Sequence, residues 1–159
     1  GLQPEQAQTR DVDTINDLIL RSKAHWGYGP EFLRKCGVDL AIDPVQLNEQ
    51  SSVSIRCQGQ IIGFFSVDML AKEDTAELIN LWVDPQRIGQ GYGRRLFAMA
   101  SYLATAGGNQ TMTIVSDPHA EEFYQHMGAR TVGSAASKIE TGRLLPLLSY
   151  PLPDLSALT

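Results

Sequence analysis

Cysteine is scarce in this 159-residue chain: Cys36 and Cys57 are the only two. Both lie in apolar-leaning stretches without a partner pattern, so neither a disulfide framework nor a thiol-rich zinc site organises the fold, and a reducing cytoplasm is the expected compartment. Long hydrophobic runs are missing as well. No stretch approaches the roughly 20 apolar residues of a membrane span, and the amino-terminal segment has no basic start followed by an apolar run, so a soluble protein without membrane contact is expected. Basic charge is in deficit, with 13 Lys and Arg against 18 Asp and Glu and a formal net charge of -5. That balance argues against nucleic-acid binding, which is driven by neutralising phosphates. The three histidines include His119 and His126, seven residues apart, without a His-Glu-x-x-His pattern or an accompanying thiol cluster, so no metal is expected. Repeats, low-complexity tracts and linkers are also lacking. Residues 1–159 read as one domain, long enough to bury about two-thirds of its unfolded surface.

Glycine, by contrast, is placed with purpose. The segment Ile88-Gly89-Gln90-Gly91-Tyr92-Gly93-Arg94-Arg95-Leu96 follows a strand-like stretch from Ala76 to Asp84 and runs straight into an amphipathic helix. Glycines at alternate positions let the chain turn through conformations closed to other residues and let a ligand reach the bare backbone. The N–H groups of such a turn and of the helix start converge on one spot, which suits phosphate. Two familiar phosphate loops fail on spacing. A P-loop would follow its last glycine with Lys and then Ser or Thr, whereas Gly93 is followed by Arg94 and Arg95, leaving no hydroxyl for magnesium. A dinucleotide fingerprint would need glycine where Arg94 or Leu96 stands. Arg87, Arg94 and Arg95 make a local basic cluster that could meet phosphates.

The rest of the chain alternates between helical and strand patterns. Val12, Ile15, Leu18 and Ile19 recur at helical spacing from Asp11 to Lys23, and Glu31 to Cys36 reads as a second helix. Val53 to Cys57 and Ile61 to Met69 read as a hairpin around Gln58-Gly59-Gln60. Leu78, Ile79, Leu81, Trp82 and Val83 are apolar on both faces, as in a central strand, which makes Asn80 conspicuous. A helical stripe from Leu96 to Ala104, a strand from Thr111 to Ser116 and a helix capped by Asp117 follow, the last with Ala120, Phe123, Tyr124 and Met127 on one face. The crossover joins parallel strands while the hairpin is antiparallel, so the sheet is mixed. Arg130 to Lys138 and Leu144 to Leu152 suggest a closing hairpin whose prolines favour sheet-edge positions.

The stretches Glu77-Leu-Ile-Asn-Leu-Trp-Val83-Asp84-Pro85 and Asp117-Pro118-His119-Ala120-Glu121-Glu122-Phe123-Tyr124, on either side of the glycine loop, make the chain resemble the GCN5-related N-acetyltransferases from about Val53 to Leu147. The resemblance implies an α+β (mixed α/β) three-layer fold: a central mixed sheet of about seven strands, splayed at the coenzyme site, with helices on both faces. It implies transfer of an acetyl group from acetyl-coenzyme A, the cosubstrate, to a primary amine by direct attack in a ternary complex. Val83, Ile88, Gly89, Gln90, Gly91, Tyr92, Gly93 and Arg94, with Asp117 and His119 further along, would line the coenzyme. The family loop usually begins with Arg or Gln where this chain has Ile88, and His119 stands where many members carry asparagine.

Acyl transfer to an amine needs a base, a stabilised carbonyl oxygen and a proton for the departing thiolate. Tyr124 is the acid that the resemblance implies; a phenol near pKa 10 donates to a thiolate near 8.5 across a modest gradient. On the residues alone it is equally a core tyrosine. Glu77 stands where some relatives have a catalytic base, the alternative being a solvated strand end. Val83 would polarise the thioester carbonyl through its backbone. Trp26 and Tyr28, in an aromatic loop with His25, would contact the acceptor, and Asn80, on the face opposite Glu77 by strict alternation, would orient it or serve the core. The acceptor stays open among polyamines, amino acids, antibiotics and protein termini, as does a homodimer, which relatives commonly form. The Ile88 departure leaves a second reading, a catalytically silent sensor of acyl-coenzyme A on the same fold.

Overall fold

In the computed structural model, which describes residues 2–154, the strands are β1 (Leu2–Gln6), β2 (Ser51–Cys57), β3 (Gln60–Lys72), β4 (Thr75–Val83), β5 (Thr111–Val115), β6 (Arg130–Ala136) and β7 (Leu144–Pro151). They form one sheet in the order β1-β2-β3-β4-β5-β7-β6. Only β4 and β5 run parallel; the other pairs are antiparallel. The expected mixed, seven-stranded sheet is thus present. Helices α1 (Val12–His25), α2 (Pro30–Asp39) and α3 (Pro44–Glu49) precede β2, α4 (Tyr92–Ala106) crosses from β4 to β5, and α5 (Glu121–His126) follows β5.

Two apolar clusters show how the layers stack. On one face, Leu96, Phe97, Ala100 and Ala104 of α4 bury themselves against Phe65, Val67, Ala76, Leu78, Met112 and Ile114. On the other, Ile15, Leu18 and Ile19 of α1 and Leu47 of α3 close over Ile61 and Phe64, with Trp82 packed against them. Removing this much apolar surface from water is the main term holding both layers to the sheet.

Strict alternation fails at one residue of β4. Ser66 pairs with Asn80 while Val67 pairs with Leu78, so Ile79 is an extra residue opposite β3. Such a bulge swaps the faces on which residues before and after it project. Ala76 and Leu78 before it, and Leu81 and Val83 after it, consequently all join the α4 face. Glu77, Asn80 and Trp82 therefore share the opposite face, the one covered by α1. This corrects the expectation that Asn80 and Glu77 point apart.

Three further differences have physical causes. β1 is a short, polar and largely exposed segment; it carries no strand pattern and becomes a strand because β2 offers it a free edge. α2 extends to Asp39, and α3, a six-residue helix capped by the Asp43 carboxylate, was not anticipated. The prolines of the closing hairpin do not put β7 at an edge, since it lies between β5 and β6. The Pro146 carbonyl accepts from the Ser116 N–H just past the end of β5, so the donor that proline lacks falls where β5 has already ended.

Candidate active site

The parallel pair comes apart beside the bulge. β4 pairs with β5 from Thr75 to Leu78 only, while its pairing with β3 continues to Val83. From Ile79 onward one edge of β4 is open. The Asp84 N–H donates to the Ile62 carbonyl at 2.8 Å. By antiparallel alternation, Trp82 and Asn80 also turn their backbone groups to β3, and Leu81 and Val83 turn theirs to the opening. The Val83 carbonyl there accepts from the Ser22 hydroxyl of α1 at 3.0 Å, which leaves the Val83 N–H and the Leu81 backbone groups facing the gap.

The glycine loop closes the end of this gap. The Asp84 carboxylate accepts from the Gln86 N–H at 3.0 Å and starts a 3-10 turn over Pro85–Arg87. Gly89 and Gly91 follow with φ of 85° and 86°, and a Cβ at either would meet nothing within 4 Å. Their need for glycine is therefore a matter of backbone conformation alone. Gly93 is glycine for another reason: a Cβ there would lie 3.1 and 3.2 Å from the Phe123 ring. The Arg95 N–H donates to the Gly91 carbonyl at 3.2 Å, but the six preceding N–H groups, Gly89 to Arg94, find no acceptor among the described residues. Six consecutive free donors at the positive end of a 15-residue helix fit a diphosphate. Ile88 is half-exposed, and its N–H donates to the Pro85 carbonyl at 3.4 Å, so the free donors begin at Gly89. Arg94 and Arg95 are exposed beside it, whereas Arg87 points back to Cys57, its Nη1 3.8 Å from Sγ.

Tyr124 is buried at 7 % exposure, its ring 6.0 Å from Phe97 and 5.2 Å from Phe123. Its hydroxyl makes no hydrogen bond with any described residue. Burial pushes the phenol well above its usual range, and the Asp117 carboxylate pushes it further. The gradient to a thiolate is therefore steeper than the sequence suggests. Such a group stays protonated throughout the physiological range and is a hydrogen-bond donor.

Asp117 and His119 face α1. Asp117 Oδ2 accepts from Lys23 Nζ at 2.6 Å and from the Tyr28 hydroxyl at 2.8 Å, and Oδ1 accepts from the His119 N–H at 2.8 Å and contacts His119 Nδ1 at 2.9 Å. Burial raises the Asp117 carboxyl, but Lys23, the His119 amide and Tyr28 outweigh it and hold it at about 2. Tyr28 in turn accepts from Arg143 Nη2 at 3.1 Å. Trp26 stacks on His119 with centroids 5.1 Å apart and planes within 10°. The expected aromatic loop thus joins the turn after β5. Lys23, Ser22 and Arg143 complete this wall, and none was singled out from sequence because each draws its meaning from partners 61 to 115 residues away.

Glu77 sits just below the opening, half-buried, level with Asp68 on β3 and Thr113 on β5. Asp68 is a second carboxylate that sequence reading passed over. Asn80 has both ends of its amide engaged: Nδ2 donates to the Ser66 hydroxyl and Oδ1 accepts from Trp82 Nε1, each at 2.9 Å. It fixes Trp82, whose ring lies 5.7 Å from Lys23 Nζ. Among the described residues no group of three His, Cys, Asp or Glu could hold a metal ion, and no helix is long and apolar enough to cross a membrane.

Comparison with known proteins bears on this geometry. The chain is similar to the PaiA N-acetyltransferase of Thermoplasma acidophilum, solved in complex with coenzyme A, with TM-score 0.77 and 14% identity over 95% of this chain and 99% of that one. A GCN5-related N-acetyltransferase structure from Rhodopseudomonas palustris matches with TM-score 0.76 and 21% identity over 96% and 95% of the two chains. The ribosomal-protein-S18-alanine N-acetyltransferase of Escherichia coli matches at 0.70 and 16%, over 96% and 94%. At these identities the likeness is one of fold. No curated protein matches by sequence. The model of the acetyltransferase (GNAT) family matches residues 20–129, which run from within α1 past α5 and hold the split strands, the glycine loop and Tyr124, so the chain belongs to that family, whose cosubstrate is acetyl-coenzyme A.

Proposed function

We propose that the protein is an N-acetyltransferase that moves an acetyl group from acetyl-coenzyme A directly to a primary amine. The observation that carries this reading is the run of six N–H groups free of acceptors among the described residues, at the end of a parallel strand pair that has parted, with a buried phenol on the helix beyond that no described residue hydrogen-bonds. When bound, acetyl-coenzyme A supplies the activated acyl thioester. Gly89 to Arg94 would hold its diphosphate, and the chain that links diphosphate to sulfur would take the place of the ladder partner that Leu81 and Val83 lack. The Val83 N–H polarises the carbonyl oxygen. Preorganised backbone donors of this kind are worth about 3 kcal/mol of barrier each.

Tyr124 donates to the sulfur as charge builds there, and its raised pKa makes this a shared proton rather than a completed early transfer. Glu77 takes the ammonium proton, directly or through water, from the acceptor side of the sheet. The paired Asp68 strengthens the pull of that side on a cation. Asp117 and His119, which the resemblance places along the coenzyme, instead belong to the acceptor wall in this reading, because Lys23 and Tyr28 hold Asp117 and Trp26 stacks on His119; Trp26 and Tyr28 are its aromatic lining. Direct attack is supported by the placing of the cysteines: Cys36 is buried, and Cys57 lies by Arg87, so neither faces the gap as an acyl-carrying nucleophile.

The test is thiol release from acetyl-coenzyme A over a panel of primary amines, beside calorimetric binding of coenzyme A. Tight binding with no thiol release from any amine would favour the silent sensor. Absence of binding would remove the reading altogether.

A further inference from the structure

Arg143 stands at the entrance to β7 with its guanidinium held from below and unpaired above. Nη2 donates to the Tyr28 oxygen at 3.1 Å, and the group lies over the Tyr28 and Phe32 rings at 5.5 and 5.3 Å. Among the described residues no carboxylate comes within 4.0 Å of it. A guanidinium has five N–H donors in a planar fork, and a half-buried one fixed by aromatic stacking leaves a rigid edge seeking acceptors. Of the two acids that act on it, Asp117 is already shared by Lys23, Tyr28 and His119, and Glu140 makes no ion pair with it. This places a cation without an ion-pair partner among the described residues two hydrogen bonds from Asp117.

We propose that Arg143 binds a carboxylate on the acetyl acceptor, so that the substrate is an amino acid or another amine carrying an acid. The proposal rests on the acetyltransferase reading and deepens it. A carboxylate satisfies the fork with two parallel hydrogen bonds. The opposite polarity, Asp68 facing Glu77 across β3 and β4 on the same side of the sheet, suits the ammonium end. A polyamine or an aminoglycoside would instead bring a second cation against Arg143 and Lys23.

The experiment compares pairs of amines that differ in one charge, each amino acid against its primary amide, with neutral, acidic and basic side chains. Thiol release gives kcat and KM, and calorimetry on coenzyme-saturated protein gives affinity where turnover is slow. We expect the carboxylate member to lead by at least tenfold in kcat/KM, chiefly through KM. Arg143→Met should cut that lead below threefold with coenzyme A affinity unchanged, and Arg143→Lys should keep part of it. Equal or better use of the amides, or a lead that survives Arg143→Met, overturns the assignment. Turnover confined to amines without an acid overturns it while leaving the acetyltransferase reading intact. No turnover and no binding for any carboxylate overturns this proposal, and the loss of thiol release from every amine counts separately against the reading beneath it.

Discussion

At the scale of single residues, two groups carry consequences out of proportion to their size. Tyr124→Phe removes one oxygen from an otherwise preserved ring, so the packing against Phe97 and Phe123 remains. Steady-state kinetics should show at least a tenfold fall in kcat, within the roughly hundredfold to ten-thousandfold range of positioned acids, while the coenzyme A Kd moves less than about twofold. Unchanged kcat would take Tyr124 out of the chemistry. Asp117 titrates at about 2 in the fold, below the roughly 3.9 of an unfolded aspartate. Because the folded value is the lower one, the unfolded chain takes up the proton first as pH falls. The resulting stabilisation, about 2.5 kcal/mol, is complete above about pH 4 and disappears as pH drops through 2. Urea midpoints of wild type and Asp117→Asn should therefore converge between pH 5 and pH 2, and a constant separation would show that the ion pair with Lys23 does not set that titration.

At the scale of elements, the last turn of α1 acts as a latch across the parted strands. Arg21 pairs with Asp84 at 3.2 Å, Ser22 donates to Val83 and Lys23 pairs with Asp117, so three successive residues hold the ends of β4 and β5. Lys23→Met should be the costliest of the three changes. It leaves a carboxylate at 11 % side-chain exposure without its cation, a loss of about 3 kcal/mol by chemical unfolding. Ser22→Ala should cost about 1 kcal/mol, yet lower kcat as well, because the Val83 carbonyl loses the partner that fixes the strand end beside the gap. A Ser22→Ala variant with wild-type kcat would detach the latch from catalysis. The glycine loop gives a matching contrast. Gly91→Ala meets no neighbour but is strained by its φ of 86°, whereas Gly93→Ala presses on the Phe123 ring next to Tyr124. Both should lower stability by about 1 kcal/mol or more, with loss of kcat beyond loss of coenzyme affinity in the Gly93 variant.

At the scale of the whole molecule, the two helical layers meet through β3 and β4, and the site lies where β4 has parted from β5. A ligand that fills the gap replaces the missing ladder contacts and binds the folded chain alone. Coenzyme A at a hundred times its Kd should then add about 2.7 kcal/mol, which for a domain of this size raises Tm by roughly 5–10 °C. A thermal scan without that rise would mean that the loop donors stay solvated when the coenzyme is present. The net charge of -5 works against a polyanionic ligand at long range, so the local donors and Arg94 and Arg95 must supply the attraction at contact.

The sequence by itself determined the parts whose meaning is local. Alternation, helical spacing and turn residues disclose the β2–β3 hairpin, the central strand, the crossover and the Phe-Tyr helix, because each pattern is written within a dozen neighbouring residues. The glycine loop was legible for the same reason: positive φ is a demand on the residue itself. Only the tertiary structure decided what depends on distant partners. One extra residue at Ile79 changes which face Asn80 and Trp82 occupy, and its presence is defined by the register with β3. The polar wall joins Lys23, Tyr28, Asp117, His119 and Arg143 through hydrogen bonds that span up to 115 residues and have no periodicity to reveal them. β1 is a strand because β2 has an edge to offer, and β7 lies inside the sheet because β5 ends before Pro146 needs a donor. Local conformational preference is a property of the chain; pairing, facing and charge compensation belong to the packed fold.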